Sequence, residues 1–192
     1  MKIIIYFFEF IVIKFFFIIC QLLGYRFSSD LGFYIGKTFG NIFRKKTSII
    51  ENLKKSKISI DISENEFAKN VLGNYGRILA EYPFLKDFRN NNLSNYIEIE
   101  GIDNLEKIKL KNKPVVFISG HFNNFELMAM QIEKSEINLA AIYRPLNNIF
   151  LNEDMEHIRK NYICKNQIKK GRTGTRQILE NLKKGNSIAL MI

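Results

Sequence analysis

Apolar residues dominate the start of the chain, where residues 3–23 form its longest hydrophobic run. The length of this run suits a membrane span, which needs about 20 apolar residues. Glu9 and Lys14 interrupt the run, so these charges are expected to pair with each other, reach the interface or face protein. No small-residue cleavage site follows. The pattern therefore predicts a retained membrane anchor helix over 1–24, spanning or partly inserted, with an exposed docking helix as the alternative.

A basic helical segment is predicted next, over 25–90. Its lysines and arginines mark the cytoplasmic side of a membrane and favour anionic headgroups. Gly32, Gly36 and Gly40 recur at every fourth position. Such glycines either allow close packing on another helix or simply ease local packing, and we expect the second, more common case. The basic residues near the apolar run are Arg26, Lys37, Arg44, Lys45, Lys46, Lys54, Lys55 and Lys57.

Three local signals define the middle of the chain. Ser63 and Glu66 have the spacing of a capping box and predict a helix that ends before Pro83. The alternating residues 96–100 predict a half-exposed strand. Asp103 and Glu106 then predict the capped start of a short helix that reaches Leu110.

The stretch 114–126 combines a strand signal, a glycine break and a helix signal. The β-branched run 115–118 predicts a short strand buried on both faces. His121 follows at the carboxyl end of this strand. Asn123 and Asn124 are good N-cap residues for a helix in which apolar residues recur at helical spacing. Glu126 is therefore expected in the first helical turn, close to His121.

The rest of the chain alternates strand and helix signals. We expect a strand over 139–142, a helix over 149–162, a loop over 171–174, a helix over 175–184 and a strand over 187–192. This order predicts an α/β domain over 91–192 with a parallel sheet and crossover helices.

The amino-acid composition and net charge narrow the class of binding partner only in part. The 192 residues suffice for one sizeable domain, and 29 basic against 19 acidic residues give a net charge of +10. This surplus suits nucleic acid, anionic lipid, a phosphorylated glycolipid or an acidic carrier protein, although the joint richness in Lys, Asn, Ile and Phe is equally consistent with coding-sequence composition. Cys20 and Cys164 have no metal or redox spacing, so neither a metal site nor a disulfide framework is predicted.

His121 and Glu126 form a candidate acid–base pair. Open α/β sheets bind their ligands at the carboxyl ends of strands, and a histidine oriented by a carboxylate is an effective general base near pH 7. A histidine at this place is also often an ordinary hydrogen-bonded loop residue. From the spacing alone, both interpretations stay open.

The residues around His121 and Glu126 give a more specific signal. The string Ser119-Gly-His-Phe-Asn-Asn-Phe-Glu126, followed by Tyr143-Arg-Pro145, resembles the late acyltransferases of lipid A biosynthesis, the lauroyl/myristoyl transferase family. Their signature is a His-x4-Glu or Asp box followed by Tyr-Arg-Pro. Asn123 replaces a common Gly and Phe125 a common Trp, but the His and Glu remain. The resemblance extends from about Arg44 onward.

The resemblance implies a glycerolipid acyltransferase-like fold and an O-acyltransferase without cofactor or metal. His121 would be the base, Glu126 its orienting carboxylate, and Arg159 the stabiliser of an oxyanion or a substrate phosphate. Substrate-binding residues would be Arg144, Asn124 and Arg172. The acyl donor would be acyl carrier protein and the acceptor a phosphorylated glycolipid, at the cytoplasmic face of a bacterial inner membrane.

The apolar residues 188–192 end the chain in mid-pattern, so we expect an N-terminal fragment that lacks the acidic motif and about the last third of the family. Three alternatives stay open. They are a glycerophospholipid acyltransferase of the His-x4-Asp type, a non-catalytic relative, and a membrane-anchored basic binding module. The motifs and the aromatic–basic interleaving of nucleic-acid-binding modules do not occur, so no nucleic-acid partner is expected.

Overall fold

The computed structural model describes residues 2–191; Met1 and Ile192, which begin the predicted anchor and end the last predicted strand, lie outside the described residues. The chain forms two compact units. We call Met1–Val12 together with Leu85–Ile192 the α/β unit, and Ile13–Phe84 the helical unit. The helix Lys2–Leu23 contributes its first half to one unit and its second half to the other.

Helices and strands alternate in the second half of the chain, as the sequence predicts. The α-helices of the described residues are Lys2–Leu23 (α1), Tyr25–Phe39 (α2), Lys46–Ser56 (α3), Glu64–Glu81 (α4), Leu85–Arg89 (α5), Ile102–Lys111 (α6), Glu126–Lys134 (α7), Ile149–Ile158 (α8) and Arg172–Lys183 (α9). Their 3₁₀ turns are Gly40–Ile42, Tyr82–Phe84 and Ser94–Tyr96, and a π-helix covers Arg159–Ile163. The strands are Val116–Ser119 (β1), Leu139–Tyr143 (β2), Asn166–Lys169 (β3) and Ser187–Met191 (β4).

The four strands form one sheet of order β1-β4-β2-β3 with parallel pairs throughout. This confirms the predicted parallel α/β architecture. Ile188 of β4 is in register with Val116 of β1 and Ala140 of β2. Ala140, Ile168 and Ile188 form a buried cluster that packs against Ile178 and Leu182 of α9. The carboxyl ends of all four strands therefore lie along one edge, as parallel pairing requires.

Strand β1 is less buried than its sequence suggests. We expected burial on both faces, but Val116 is 51% exposed and Ile118 62% exposed. The reason is topological: among the described residues β1 pairs only with β4, at the end of the sheet, while the apolar cluster under α9 is built on the other three strands. An apolar run identifies a strand but not its place in the sheet order.

Three other local predictions are wrong. Residues 97–100 form no strand in the part of the chain that the structure describes, because this alternating segment pairs with no described strand. The predicted loop over 171–174 is too long, since α9 begins at Arg172. Strand β3 was not predicted, because its sequence Asn166–Lys169 is mostly polar at the sheet edge.

Helix capping follows the sequence at one site and departs from it at two. The Ser63 hydroxyl accepts a hydrogen bond from the Glu66 backbone N–H at 3.2 Å, and α4 ends before Pro83, both as predicted. Helix α6 instead begins after Gly101, whose φ is +72°, and Asp103 pairs with Lys107. The N-cap residue of α7 is Phe125, and neither Asn123 nor Asn124 occupies that position.

The helical unit is built on a close contact between α2 and α4. A Cβ atom on Gly76 would lie 2.1 Å from the Gly32 carbonyl oxygen, and one on Gly36 would lie 2.4 Å from the Leu72 carbonyl oxygen. The expectation that these glycines only ease local packing is therefore wrong. Their missing side chains let two helix backbones meet.

The first half of α1 is held within the α/β unit by a polar contact. The Asn148 side-chain amide donates to the Tyr6 carbonyl oxygen at 2.8 Å and to Glu9 Oε2 at 2.9 Å. The Phe7 ring meets the Phe150 ring edge-on, with centroids 5.6 Å apart. Of the options open for Glu9, the structure thus selects contact with protein. Helix α1 is also long and apolar enough to cross a membrane, a property that buried core helices and signal sequences share.

Candidate active site

A cavity of about 540 Å³ lies at the carboxyl ends of the strands, where a parallel sheet is expected to bind its ligands. The last residues of β2, β3 and β4 are Tyr143, Lys169 and Met191, and each of them lines this cavity. His121, from the turn after β1, and Glu126, from α7, line it as well. The topology therefore gathers side chains from several helices, strands and turns into one cavity.

The turn that carries His121 has a strained backbone and an exposed surface. Asn123 adopts a positive φ of 42°, and the Phe125 N–H donates to the Asn123 carbonyl oxygen at 3.0 Å, which reverses the chain before α7. His121 itself is exposed, and its ring meets the Phe125 ring edge-on with centroids 4.8 Å apart. This leaves the imidazole at the cavity with access to an incoming molecule.

Glu126 is the buried charge of the site. Its residue is 6% exposed, and its Oε1 accepts hydrogen bonds from Arg159 Nε at 2.9 Å and from Arg159 Nη2 at 2.7 Å. Both donors of one edge of the guanidinium thus meet a single carboxylate oxygen. A buried carboxylate requires such a cationic, hydrogen-bonding partner, because desolvation without one is costly.

Arg159 is positioned by backbone geometry as well as by charge. It is the first residue of the π-helix Arg159–Ile163, in which the Cys164 N–H donates to the Arg159 carbonyl oxygen at 2.9 Å. Its guanidinium carbon lies 5.6 Å from the centre of the Tyr143 ring. π-Helical turns are rare and are common at functional sites. Here the turn coincides with the arginine that contacts both Glu126 and Tyr143.

A second polar cluster supports the far side of the cavity. Burial raises the pKa of Glu156, but hydrogen bonds from Lys169, Tyr143 and Asn152 outweigh that effect and lower it to about 2. Lys169 Nζ lies 3.0 Å from Glu156 Oε1. Burial, with the Glu156 hydrogen bond and charge, raises the pKa of the Tyr143 hydroxyl. Tyr143 therefore remains a neutral phenol between Glu156 and Arg159.

The structure brings four of the six predicted site residues together. His121, Glu126, Arg144 and Arg159 all line the cavity. Asn124, in the turn before α7, and Arg172, exposed at the start of α9, lie outside the set of lining residues. His157, the second histidine of the chain, is exposed on α8 and lies outside the lining residues.

Sequence reasoning missed Tyr143 and Glu156 as parts of the site. Tyr143 belongs to the Tyr-Arg-Pro string that carries the resemblance, so a signal for it exists. Glu156 had no such signal, because its pairing with Lys169 depends on how α8 lies beside β3. Among residues 2–191, no group of three or more His, Cys, Asp or Glu side chains is placed to hold a metal ion.

The chain matches a known protein family and two curated relatives. The family described as bacterial lipid A biosynthesis acyltransferase matches residues 1–192. A lipid A biosynthesis palmitoleoyltransferase of Escherichia coli (strain K12) and a lipid A biosynthesis acyltransferase of Shigella flexneri are each 24% identical over 162 residues, which is 81% of this chain and 51% of the relative. The chain thus spans about half the length of these curated relatives. It belongs to the bacterial lipid A biosynthesis acyltransferase family.

Proposed function

We propose that the protein transfers a fatty acyl group from an acyl carrier protein thioester to a hydroxyl group of a phosphorylated lipid A precursor. The observation that carries this proposal is the cavity at the strand ends, where an accessible His121 adjoins the buried Glu126–Arg159 pair. Membership of an acyltransferase family makes acyl transfer the chemistry to which these groups are assigned.

His121 is the proposed general base. It takes the proton of the acceptor hydroxyl as that oxygen attacks the thioester carbonyl carbon, and a tetrahedral oxyanion forms. When the intermediate collapses, the carbon–sulfur bond breaks and the imidazolium returns the proton to the leaving thiolate. The products are an ester and a free thiol, so charge and atoms balance without a cofactor.

Glu126 and Arg159 are proposed to act on the charges that develop during this reaction. The Glu126 carboxylate stabilises the imidazolium that forms on His121, which requires the imidazole to turn from its contact with Phe125 toward the carboxylate. Catalytic hydrogen bonds often tighten only when substrate is bound. Arg159, held by Glu126 and placed on the cavity lining, is proposed to stabilise the oxyanion or to bind a substrate phosphate through its positive charge.

Positive charge beside the cavity supports an anionic acceptor. Arg144 and Lys170 line the cavity, and the first turn of α9 reaches it through Gly174 and Thr175. Guanidinium groups and helix N-termini both bind phosphate well. Arg172 lies at the same helix start and is proposed to join this phosphate contact, as is Asn124 in the turn before α7.

Charge and hydropathy support the proposals of an acidic donor and a membrane location. A net charge of +10 favours the encounter with an acidic carrier protein. Helix α1, with its basic flank, is proposed to hold the protein at the bacterial inner membrane with the cavity on the cytoplasmic side.

The test is acyl transfer by the full-length protein in detergent, with a labelled acyl chain on carrier protein or on coenzyme A. We expect product with the lipid A precursor and the carrier-protein donor. We also expect kcat/KM for that donor to fall as salt rises from about 10 to about 150 mM, because screening shortens the Debye length from about 30 to about 8 Å.

Two results would overturn the proposal. One is transfer to a lysophospholipid acceptor but not to the lipid A precursor, which would favour glycerophospholipid acylation. The other is equal use of both donors at every salt concentration, which would remove the carrier protein as the partner.

A further inference from the structure

Helix α2 divides into three faces. The face that packs on α4 contains buried Ser28, Ser29, Gly32 and Gly36. A second face is apolar and open to solvent, and its members recur at helical spacing. These exposed residues are Phe27, Leu31, Tyr34, Ile35 and Phe39, followed after the helix by Ile42 and Phe43.

The third face of α2 carries the charges. Arg26, Asp30 and Lys37 are spaced four and seven residues apart, so they align on one flank of the helix. On this flank Asp30 and Lys37 form ion pairs with α4, and Arg26 is exposed. Arg44 and Lys45 follow directly after exposed Phe43. A helix with an apolar face, a charged flank and a buried face has the pattern of a helix that lies in a membrane interface.

The dimensions of α2 exclude a membrane span. Its 15 residues measure about 22 Å at 1.5 Å per residue, short of the hydrocarbon core of about 30 Å. The exposed face is nevertheless strongly apolar: Phe27 is 74% exposed and Phe43 is 90% exposed. An apolar surface of this extent on a soluble protein marks an interaction site.

We propose that α2 and the turn after it form a second membrane contact, in addition to α1, and lie in the plane of a bilayer that contains anionic lipid. The exposed aromatic and aliphatic side chains enter the upper acyl region. Charge complementarity selects this occupant: besides Lys37 and Lys54, which pair with glutamates of α4, the residues between 25 and 57 include six lysines and arginines but only two acids. Phe27 and Phe43 are therefore suitable positions for probes that report the depth of insertion into the bilayer.

The chain contains no tryptophan, so single Phe27→Trp and Phe43→Trp variants each introduce a unique fluorophore at an exposed aromatic position. The matched control is Leu110→Trp, on α6, where Leu110 is 86% exposed. The full chain is reconstituted in vesicles of phosphatidylethanolamine and phosphatidylglycerol, with bromine at the 6,7 or the 11,12 acyl positions. Emission is compared with that in unbrominated vesicles.

We expect both reporters to be quenched about twofold or more, and more strongly by shallow than by deep bromine, while the control stays unquenched. Replacing phosphatidylglycerol by phosphatidylcholine should reduce the quenching. If neither reporter is quenched, the proposal is wrong. A blue-shifted emission that bromine does not quench would identify protein, such as a second copy of the chain, as the occupant and would also overturn it. Neither result depends on acyl transfer.

Discussion

Two buried carboxylates, Glu81 in the helical unit and Glu126 in the α/β unit, are similarly shielded from solvent but have different surroundings. Glu81 is 4% exposed and Glu126 is 6% exposed. Glu81 accepts a hydrogen bond at Oε1 from the Ser29 hydroxyl at 2.6 Å, within the α2–α4 contact. Glu126 accepts two hydrogen bonds from Arg159 and lines a cavity.

The comparison shows that two carboxylates with similar burial can have different surroundings. Glu81 is tied to hydroxyl donors between helices, and Arg77 contacts it indirectly by donating to Ser29 Oγ at 2.7 Å. Glu126 has a directly bound guanidinium, and it lines an open cavity. A charged partner next to accessible space is what allows a buried carboxylate to act on a substrate.

The largest expected effect is on acyl transfer, when the proposed base His121 is removed from the site that contains Glu126. In the full-length protein, His121→Ala should lower acyl transfer by about 10²- to 10⁴-fold, because positioned base catalysis is lost. His157→Ala is the matched control, since His157 is the other histidine and is exposed on α8. A folded His121→Ala protein with near-normal transfer would make the turn after β1 purely structural.

The next prediction compares the effects of Glu126→Gln and Glu81→Gln on kcat. Glu126→Gln should lower kcat by about a hundredfold or more, because the neutral amide cannot stabilise an imidazolium. Glu81→Gln should leave kcat unchanged. The losses in His121→Ala and Glu126→Gln should be far from additive in the double variant. Equal rates for the two Gln variants would show that Glu126, like Glu81, serves only the fold.

The packing of the helical unit is tested by Gly76→Ala. The new Cβ would meet the Gly32 carbonyl oxygen, and overpacking of this kind costs about 1–3 kcal/mol. Gly73→Ala is the control on the same helix, because its Cβ would meet the Phe33 ring, a side chain that can move. Thermal unfolding measures both, and a Gly76→Ala protein as stable as Gly73→Ala would contradict the close contact.

Arg159→Lys tests whether the guanidinium shape matters at the site. We expect a loss of roughly tenfold in kcat/KM, because a compact ammonium does not reproduce the planar fork of donors of a guanidinium. Arg176→Lys is the control, since Arg176 is exposed and pairs with Glu180 on α9. An unchanged rate in Arg159→Lys would leave Arg159 a structural partner of Glu126.

Glu81→Gln should have the smallest effect. The amide oxygen of glutamine can still accept the Ser29 hydrogen bond, so only the charge-assisted part is lost, about 1 kcal/mol in the free energy of unfolding. Chemical denaturation of the wild type and the variant measures this difference. A much larger loss would mean that the charge of Glu81 organises the whole α2–α4 contact.

The candidate site was predictable where its residues are neighbours in sequence. His121 and Glu126 are five positions apart, and a strand end followed by a helix start brings them to the same edge. Arg159 lies 33 residues from Glu126, and its assignment needed the family resemblance. Its direct pairing with Glu126 was not predicted, because no local pattern encodes which cation reaches a buried carboxylate.

The sequence by itself determined the apolar α1, the Ser63 cap of α4, and the strand–helix alternation that leads to a parallel sheet. These features depend on side chains within a few residues of each other, where periodicity and capping act. Only the tertiary structure decided the position of β1 at the edge of the sheet, the close contact of Gly32 with Gly76, and the partner of Glu126. Each of these joins residues far apart in the chain, so its energy depends on packing and desolvation in the assembled fold and not on the local order of residues.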